Sequence, residues 1–82
     1  MLDTNIGIDV GGTHTDLTAV RGQRVVRAKS LTTHDNYSDG IFEALSSAAE
    51  QLCLPVAKLL STHTKAFVNG NTIVTNAAQL LA

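Results

Sequence analysis

The sequence predicts a mixed α/β fold with the element order βββαβα. Apolar and polar residues alternate through about the first thirty positions, which is typical of half-buried strands. Apolar residues then recur at helical spacing between 41 and 52, and a β-prone run at 65–69 follows. These patterns favour three strands joined by short turns, then a helix, a returning strand and a last helix.

The first three strands are expected to form an antiparallel meander. The first ends at Val10, and its apolar residues at 6, 8 and 10 share one face, which places Asp9 on the other. A second β-prone run covers 17–20, and a third covers 25–31 after a polar turn containing Gly22. A sheet with one apolar face follows from this pattern.

A helix with an apolar stripe is expected to pack on that sheet. Its start is predicted at Asn36 or Ser38, since either side chain can cap a helix. The stripe consists of Ile41, Leu45, Ala48, Ala49 and Leu52. Pro55 then begins a short helical turn at 56–60, and the crossover is long enough to make the strand at 65–69 parallel to its neighbour.

The chain is expected to end in another helix. Gly70 ends the fourth strand, Asn71 or Thr72 caps, and apolar residues lie at 73, 74, 77, 78 and 81. Free N–H groups at the start of such a helix can bind a phosphate or a carboxylate. Ordinary capping explains Asn71 and Thr72 equally well. The apolar residues of this helix also predict a contact surface, and hence a possible homo-oligomer.

The segment 6–16 has the composition of a phosphate-binding hairpin. Gly11 and Gly12 remove side chains where the chain bends, so an anion could reach backbone N–H groups. Thr13 and Thr15 carry hydroxyl groups that could donate to phosphate oxygens. Asp9 could hold a hydrated Mg²⁺, which usually binds through one or two carboxylates.

The same hairpin can also be read as an ordinary turn, because Gly-Gly between two strands is a common hairpin signal. Two better-known phosphate motifs are excluded by spacing. A Walker loop needs a lysine that does not occur before Lys29, and a dinucleotide fingerprint needs a third glycine opening a helix. A glycine hairpin between two strands is the motif that remains.

The histidines and the single cysteine give weaker signals. His14 is a candidate catalytic base beside the loop, or a partly exposed structural residue. His34 and His63 lie in polar segments without metal-ligand spacing and are expected to be solvated. Cys53 is the only cysteine, so no disulfide forms within the chain, and it is expected in the core or at a helix end.

The composition limits the kinds of partner and the cellular compartment that we expect for this protein. The net charge is −1 and 16% of residues are charged, which argues against nucleic acid or an acidic membrane as a partner. The N-terminal residues show no signal-peptide pattern, and no apolar run approaches the length of a membrane span. We therefore expect a soluble cytoplasmic protein.

Two segments together resemble the N-terminal region of the hydantoinase A and 5-oxoprolinase family. Residues 6–16, Ile-Gly-Ile-Asp-Val-Gly-Gly-Thr-His-Thr-Asp, are similar to its opening strand and hairpin, where an aromatic commonly replaces His14. Residues 69–77, Asn-Gly-Asn-Thr-Ile-Val-Thr-Asn-Ala, look like its second signature. Asn69 stands where that family usually has His, and Asn71 where it usually has Thr. The first motif is shared with the wider actin, sugar-kinase and Hsp70 ATPase superfamily.

The resemblance implies a partial ribonuclease-H-like or actin-like lobe and an ATP-dependent opening of a cyclic amide. It assigns Mg²⁺ and a catalytic role to Asp9 and places ATP phosphates near a second group of residues. These cofactor-binding residues would be Gly11, Gly12, Thr13, His14 and Thr15, with Asn71 and Thr72. Asp16 would brace the turn. Related family members are subunits of ketone carboxylases.

The length sets further expectations. Residues 1–82 are expected to form one N-terminal domain of a larger two-lobed fold, with weak or no ATPase activity alone. The partners expected are the remaining domain or subunits and a cyclic amide or ketone substrate. Two alternatives stay open: a sugar-kinase-like phosphotransferase lobe, and a non-catalytic assembly domain.

Overall fold

A computed structural model describes residues 3–61 and 63–69, together with the backbone of 71–74. Its strands and helices are β1 Thr4–Val10, β2 His14–Arg21, β3 Arg24–Leu31, α1 Tyr37–Gln51, α2 Val56–Leu59, β4 Thr64–Val68 and β5 Asn71–Val74. The strands form one sheet in the order β3-β2-β1-β4-β5.

The predicted meander, helix and parallel strand are confirmed. β1 pairs antiparallel with β2, with Val10 opposite Thr15, and β2 pairs antiparallel with β3, with His14 opposite Leu31. β4 runs parallel to β1, because α1 and α2 carry the chain back across the sheet before it re-enters. The C-terminal ends of β1 and β4 therefore meet at one edge of the sheet.

One apolar core lies between the sheet and α1. α1 packs against β2 and β3, and Leu59 of α2 joins the same cluster. The buried strand residues alternate with exposed ones, as half-buried strands require. The core residues are Ile6, Ile8, Leu17, Ala19, Val26, Ala28, Ile41, Ala44, Leu45, Ala48, Ala49, Leu52, Leu59 and Ala66.

The start of α1 is fixed by side chains from the segment before it. Asn36 is the N-cap, and its side-chain oxygen accepts from the N–H of Ser38 at 3.0 Å. Thr33 Oγ1 accepts from the N–H of Gly40 at 2.9 Å, and Ser30 Oγ donates to the carbonyl of Gly40 at 2.6 Å. Gly40 has to be glycine because a Cβ would lie 2.7 Å from the carbonyl oxygen of Leu31.

α1 ends in a Schellman turn with Cys53 in the left-handed region. Cys53 has a φ of 57°, its N–H donates to Glu50, and the N–H of Leu54 donates to Ala49. The expected position at a helix end is thus confirmed, and the alternative position in the core is wrong because Cys53 is exposed.

The predicted helix from residue 73 does not begin there. Asn71–Val74 instead form β5, antiparallel to β4, with an irregularity between Ala66 and Phe67. The free edge of β4 supplies backbone partners, and the β-branched residues at 72–74 favour a strand. Asn71 and Thr72 therefore do not cap a helix at 73. Residues 75–82 lie outside the described residues, as does the predicted contact surface formed by their side chains.

Other element boundaries differ from the prediction by a few residues. β3 begins at Arg24, one residue earlier than predicted, because backbone pairing extends the strand beyond its apolar pattern. β4 covers Thr64–Val68, and the short helical turn ends at Leu59. No helix in the described part of the chain is long and apolar enough to cross a membrane.

Candidate functional site: a glycine hairpin at the sheet edge

Residues 11–13 connect β1 to β2 in a tight hairpin. The N–H of Gly11 donates to the carbonyl of His14 at 3.0 Å. Neither Gly11 nor Gly12 has a φ in the left-handed region, so backbone conformation does not require glycine at either position. A Cβ on Gly11 would lie 3.0 Å from the carbonyl oxygen of His14, whereas a Cβ on Gly12 would meet no described atom within 4 Å.

The carbonyl groups of this hairpin are held by the segment that follows β3. Thr32 Oγ1 donates to the carbonyl of Gly11 at 2.8 Å, and the N–H of Thr32 donates to that of Thr13 at 2.9 Å. His34 Nε2 lies 2.8 Å from the carbonyl oxygen of Gly12. Every carbonyl from 11 to 13 thus has a partner.

The N–H groups of the hairpin differ from its carbonyl groups in their hydrogen bonding. Within residues 3–61 and 63–69, the backbone N–H groups of Gly12 and Thr13 have no hydrogen-bond partner. Consecutive free N–H groups beside a glycine are a common way for a loop to bind an anion. The open space at Gly12 leaves room for one.

Asp9 lies one strand position before the turn, on the face of the sheet opposite α1. Asp16 is directly across from it in β2, and Lys29 is the next residue across, in β3. Lys29 Nζ lies 3.5 Å from Asp16 Oδ1, so Asp16 has an exposed ion-pair partner. Asp16 contacts a neighbouring strand rather than the turn. Asp9 is exposed and has no ion-pair partner among the described residues.

The side chains predicted to lie near phosphate are found in two different environments. Thr13 and His14 are exposed, and Thr13 Oγ1 lies 3.1 Å from His14 Nδ1. Thr15 is 1% exposed on the core face, where its hydroxyl is 3.0 Å from that of Thr32. The side chain of Thr15 therefore stabilises the hairpin from the core face of the sheet, through its contact with Thr32.

The structure brings the two sequence motifs into contact through Asn69. Its N–H donates to the carbonyl of Ile8 at 2.6 Å, and its side-chain Oδ1 accepts from the N–H of Val10 at 2.8 Å. Asn69 has a φ of 52°, a left-handed conformation that Asn tolerates better than most residues. The end of β4 is thereby joined to the strand that enters the glycine hairpin.

Sequence reasoning missed the contacts that Thr32 and His34 make with the carbonyl groups of the hairpin. His34 is exposed, as expected, and its ring also lies against the carbonyl of Gly12. A signal for these contacts exists in the strand register. Because His14 pairs with Leu31, the residues after 31 must continue alongside the hairpin. The pattern of polar residues at 32–36 indicated only a connecting loop.

The remaining candidates lie outside the hairpin itself. Asn71 and Thr72 lie in β5 by their backbone, opposite Val68 and Phe67. Among the described residues no three His, Cys, Asp or Glu side chains gather as a metal site. An open concavity of about 410 Å³ lies elsewhere, on β2 and β3. Its lining residues are Asp16, Leu17, Thr18, Arg27, Ala28 and Lys29.

Comparison with known proteins supports the resemblance. The structure is similar to a chain of diol dehydratase-reactivating factor in nucleotide-free form, with a TM-score of 0.52 and 17% identity. The match covers 80% of this chain and 12% of that one, so it shows a shared fold over a small part of a longer protein. A search of curated proteins found no match. The family model of the hydantoinase/oxoprolinase N-terminal region matches residues 5–80, and the chain belongs to that family.

Proposed function

We propose that this chain is the phosphate-binding N-terminal part of an ATP-dependent cyclic-amide hydrolase of the hydantoinase or 5-oxoprolinase type, or of a related ketone carboxylase subunit. The observation that carries the proposal is the difference in hydrogen bonding between the carbonyl and N–H groups of the glycine hairpin. The carbonyl groups of residues 11–13 accept hydrogen bonds from Thr32 and His34, whereas the N–H groups of Gly12 and Thr13 have no partner among the described residues. Membership of the family supports the assignment to this class of enzyme.

Phosphate oxygens of ATP are proposed to bind the N–H groups of the hairpin, with the exposed side chains of Thr13 and His14 at its rim. The glycines fit such a ligand because a Cβ on Gly12 would occupy space that no described residue fills. Thr15 contributes through its buried hydroxyl, which is bound to Thr32. Asn71 and Thr72 are proposed as further contacts, since β5 begins at the sheet edge where β1 ends.

Asp9 is the proposed holder of Mg²⁺. Its carboxylate is exposed and has no ion-pair partner within the described residues, whereas neighbouring Asp16 contacts Lys29. Mg²⁺ commonly binds through one or two carboxylates, phosphate oxygens and several waters, so one carboxylate beside a phosphate loop suffices. The ion would also reduce the repulsion between the two carboxylates that face each other across the strands.

The rest of the catalytic machinery is assigned to further domains or subunits. ATP, when bound, supplies a phosphoryl group that makes the carbonyl of an inert amide reactive. This chain contributes the binding and orientation of the phosphates. The structural match covers 12% of the reactivating-factor chain. The family model describes an N-terminal region, which implies that other domains or subunits complete the enzyme.

The proposal is tested by combining the chain with the remainder of its enzyme and measuring ATP hydrolysis with hydantoin, 5-oxoproline and simple ketones. We expect one substrate class to stimulate hydrolysis and Asp9→Asn to reduce it by about a hundredfold or more, as for loss of a group that stabilises transition-state charge. Asp35→Asn, an exposed carboxylate after β3, is the control. Unchanged activity in Asp9→Asn contradicts the metal assignment.

A non-catalytic assembly domain is distinguished by nucleotide binding itself. A ligand that binds only the folded state raises the melting temperature, and above Kd the stabilisation grows with the logarithm of the ligand concentration. We expect millimolar Mg-ATP to raise the melting temperature of the assembled enzyme, and less so that of its Asp9→Asn variant. No nucleotide-dependent change in the wild-type assembly would favour the assembly domain.

A further inference from the structure

We propose that Thr32 and His34 are positioning residues that turn the backbone N–H groups of the hairpin toward a bound phosphate. The inference rests on the proposed function and extends it to two side chains outside both sequence motifs. Neither side chain is proposed to contact the phosphate. They act through the carbonyl groups of 11–13.

The planarity of the peptide bond makes this action direct. In a trans peptide the C=O of one residue and the N–H of the next point in opposite directions, and no cis peptide occurs among the described residues. Fixing the carbonyl of Gly11 therefore fixes the N–H of Gly12, and fixing that of Gly12 fixes the N–H of Thr13. The carbonyl of Thr13 sets the N–H of His14 in the same way.

Thr32 holds the first and the third of these peptides. Its hydroxyl donates to the carbonyl of Gly11 at 2.8 Å, and its backbone N–H donates to that of Thr13 at 2.9 Å. The same hydroxyl lies 3.0 Å from Thr15 Oγ1, which can donate to it. The buried Thr15 thus orients Thr32 so that the proton of Thr32 points at Gly11.

His34 holds the middle peptide. Because a carbonyl oxygen only accepts, Nε2 carries the proton in the 2.8 Å contact with Gly12. The His34 ring makes an edge contact with Tyr37, with ring centroids 6.2 Å apart, and Tyr37 is the first residue of α1. The imidazole is placed between the hairpin and the helix. Donation to each carbonyl also polarises its peptide and strengthens the N–H on the other side.

Paired substitutions separate positioning from simple support of the fold. Thr32→Val removes the hydroxyl and keeps the branched shape, whereas Thr32→Ser keeps the hydroxyl. His34→Leu removes the donor, whereas His34→Gln can replace it with an amide N–H. Thr18→Val is the matched control, because Thr18 lies on β2 away from the hairpin.

Two measurements on the ¹⁵N-labelled chain test the proposal. Backbone relaxation reports order at Gly12, Thr13 and His14, and titration with Mg-ATP reports the Kd from their amide shifts. We expect order parameters typical of a rigid backbone, about 0.85, to fall below about 0.6 at Gly12 in Thr32→Val and at Thr13 in His34→Leu. His14 should stay ordered in both variants, because the backbone N–H of Thr32 still holds the carbonyl of Thr13. We expect the Kd to rise about tenfold in each, as for loss of one hydrogen bond.

The outcomes distinguish this proposal from the function on which it rests. Rescue by Thr32→Ser and His34→Gln, with Thr18→Val unchanged, supports positioning. Wild-type order and affinity in Thr32→Val and His34→Leu overturn it, even if the wild type binds Mg-ATP at the hairpin. If no variant or wild-type chain binds Mg-ATP, the phosphate-binding function fails, while loss of order at Gly12 in Thr32→Val still supports the tethering of the peptides.

Discussion

The side chain of Asn69 accepts a hydrogen bond from the backbone N–H of Val10, with 2.8 Å between Oδ1 and the nitrogen. The two residues are far apart in sequence and belong to different motifs. The bond extends the parallel pairing of β1 and β4 to the edge where the glycine hairpin begins. An amide oxygen at 69 therefore helps set the geometry of the candidate site.

Replacing Asn69 should destabilise the protein in a graded way. Asn69→Ala loses the hydrogen bond and places a less tolerant residue at a φ of 52°, so we expect a loss of about 1–2 kcal/mol in the free energy of unfolding. Asn69→Gly loses only the bond and should cost less. Urea unfolding measures both, with Asn69→Asp as the control that retains an acceptor. Equal losses for Ala and Asp would contradict the assigned bond.

Relief of the left-handed residue after α1 should stabilise the fold. Cys53 has a φ of 57° in the Schellman turn, where glycine is free of the Cβ penalty. We expect Cys53→Gly to raise the free energy of unfolding by about 1 kcal/mol, the strain relieved less the added entropy of the unfolded chain. Cys53→Ala, which keeps a Cβ, should show little change. A destabilised Cys53→Gly variant would contradict the turn.

Replacement by alanine should destabilise the protein at Gly40 but not at Gly12. A Cβ on Gly40 would lie 2.7 Å from the carbonyl oxygen of Leu31, which is backbone and cannot move aside easily. We expect Gly40→Ala to cost about 1–3 kcal/mol, despite the higher helix propensity of alanine. Gly12→Ala meets no described atom within 4 Å and should leave thermal stability nearly unchanged. Calorimetry of the two variants gives the comparison.

The carboxylate of Asp9 should lower the free energy of unfolding, even though it is proposed to hold Mg²⁺. It faces Asp16 directly across two antiparallel strands, and like charges in that position repel. Asp9→Asn should therefore raise the free energy of unfolding by roughly 0.2–1 kcal/mol at low salt, with a smaller gain at high salt. Asp35→Asn serves as the control. A loss of stability in Asp9→Asn would show that its carboxylate has a structural role.

The sequence predicted the parts of the molecule that depend on local pattern. Alternation and turn residues indicated the meander, and the spacing of Ile41, Leu45 and Leu52 indicated α1. Asn36 was one of the two predicted caps, and it caps the helix in the structure. These features are determined by neighbours within a few positions, which is why a pattern can reveal them.

The parts that sequence missed depend on pairing between distant segments. β5 forms because β4 offers an open edge to residues 71–74, although the apolar spacing there favoured a helix. The contacts of Thr32 and His34 follow from the register of β2 with β3, which no local pattern encodes. The burial of Thr15 likewise depends on which face of β2 meets α1.

Phosphate is proposed to bind the N–H groups of Gly12 and Thr13, which have no partner among the described residues, and a single titration examines this binding. Gly12→Val places a side chain in the open space at Gly12, where its Cβ meets no described atom within 4 Å. ¹⁵N-labelled wild-type chain titrated with Mg-ATP should show saturable shifts at Gly12, Thr13 and His14. Gly12→Val should lose them without a fall in melting temperature. Undiminished binding by Gly12→Val, or shifts confined to the concavity on β2 and β3, would contradict the account.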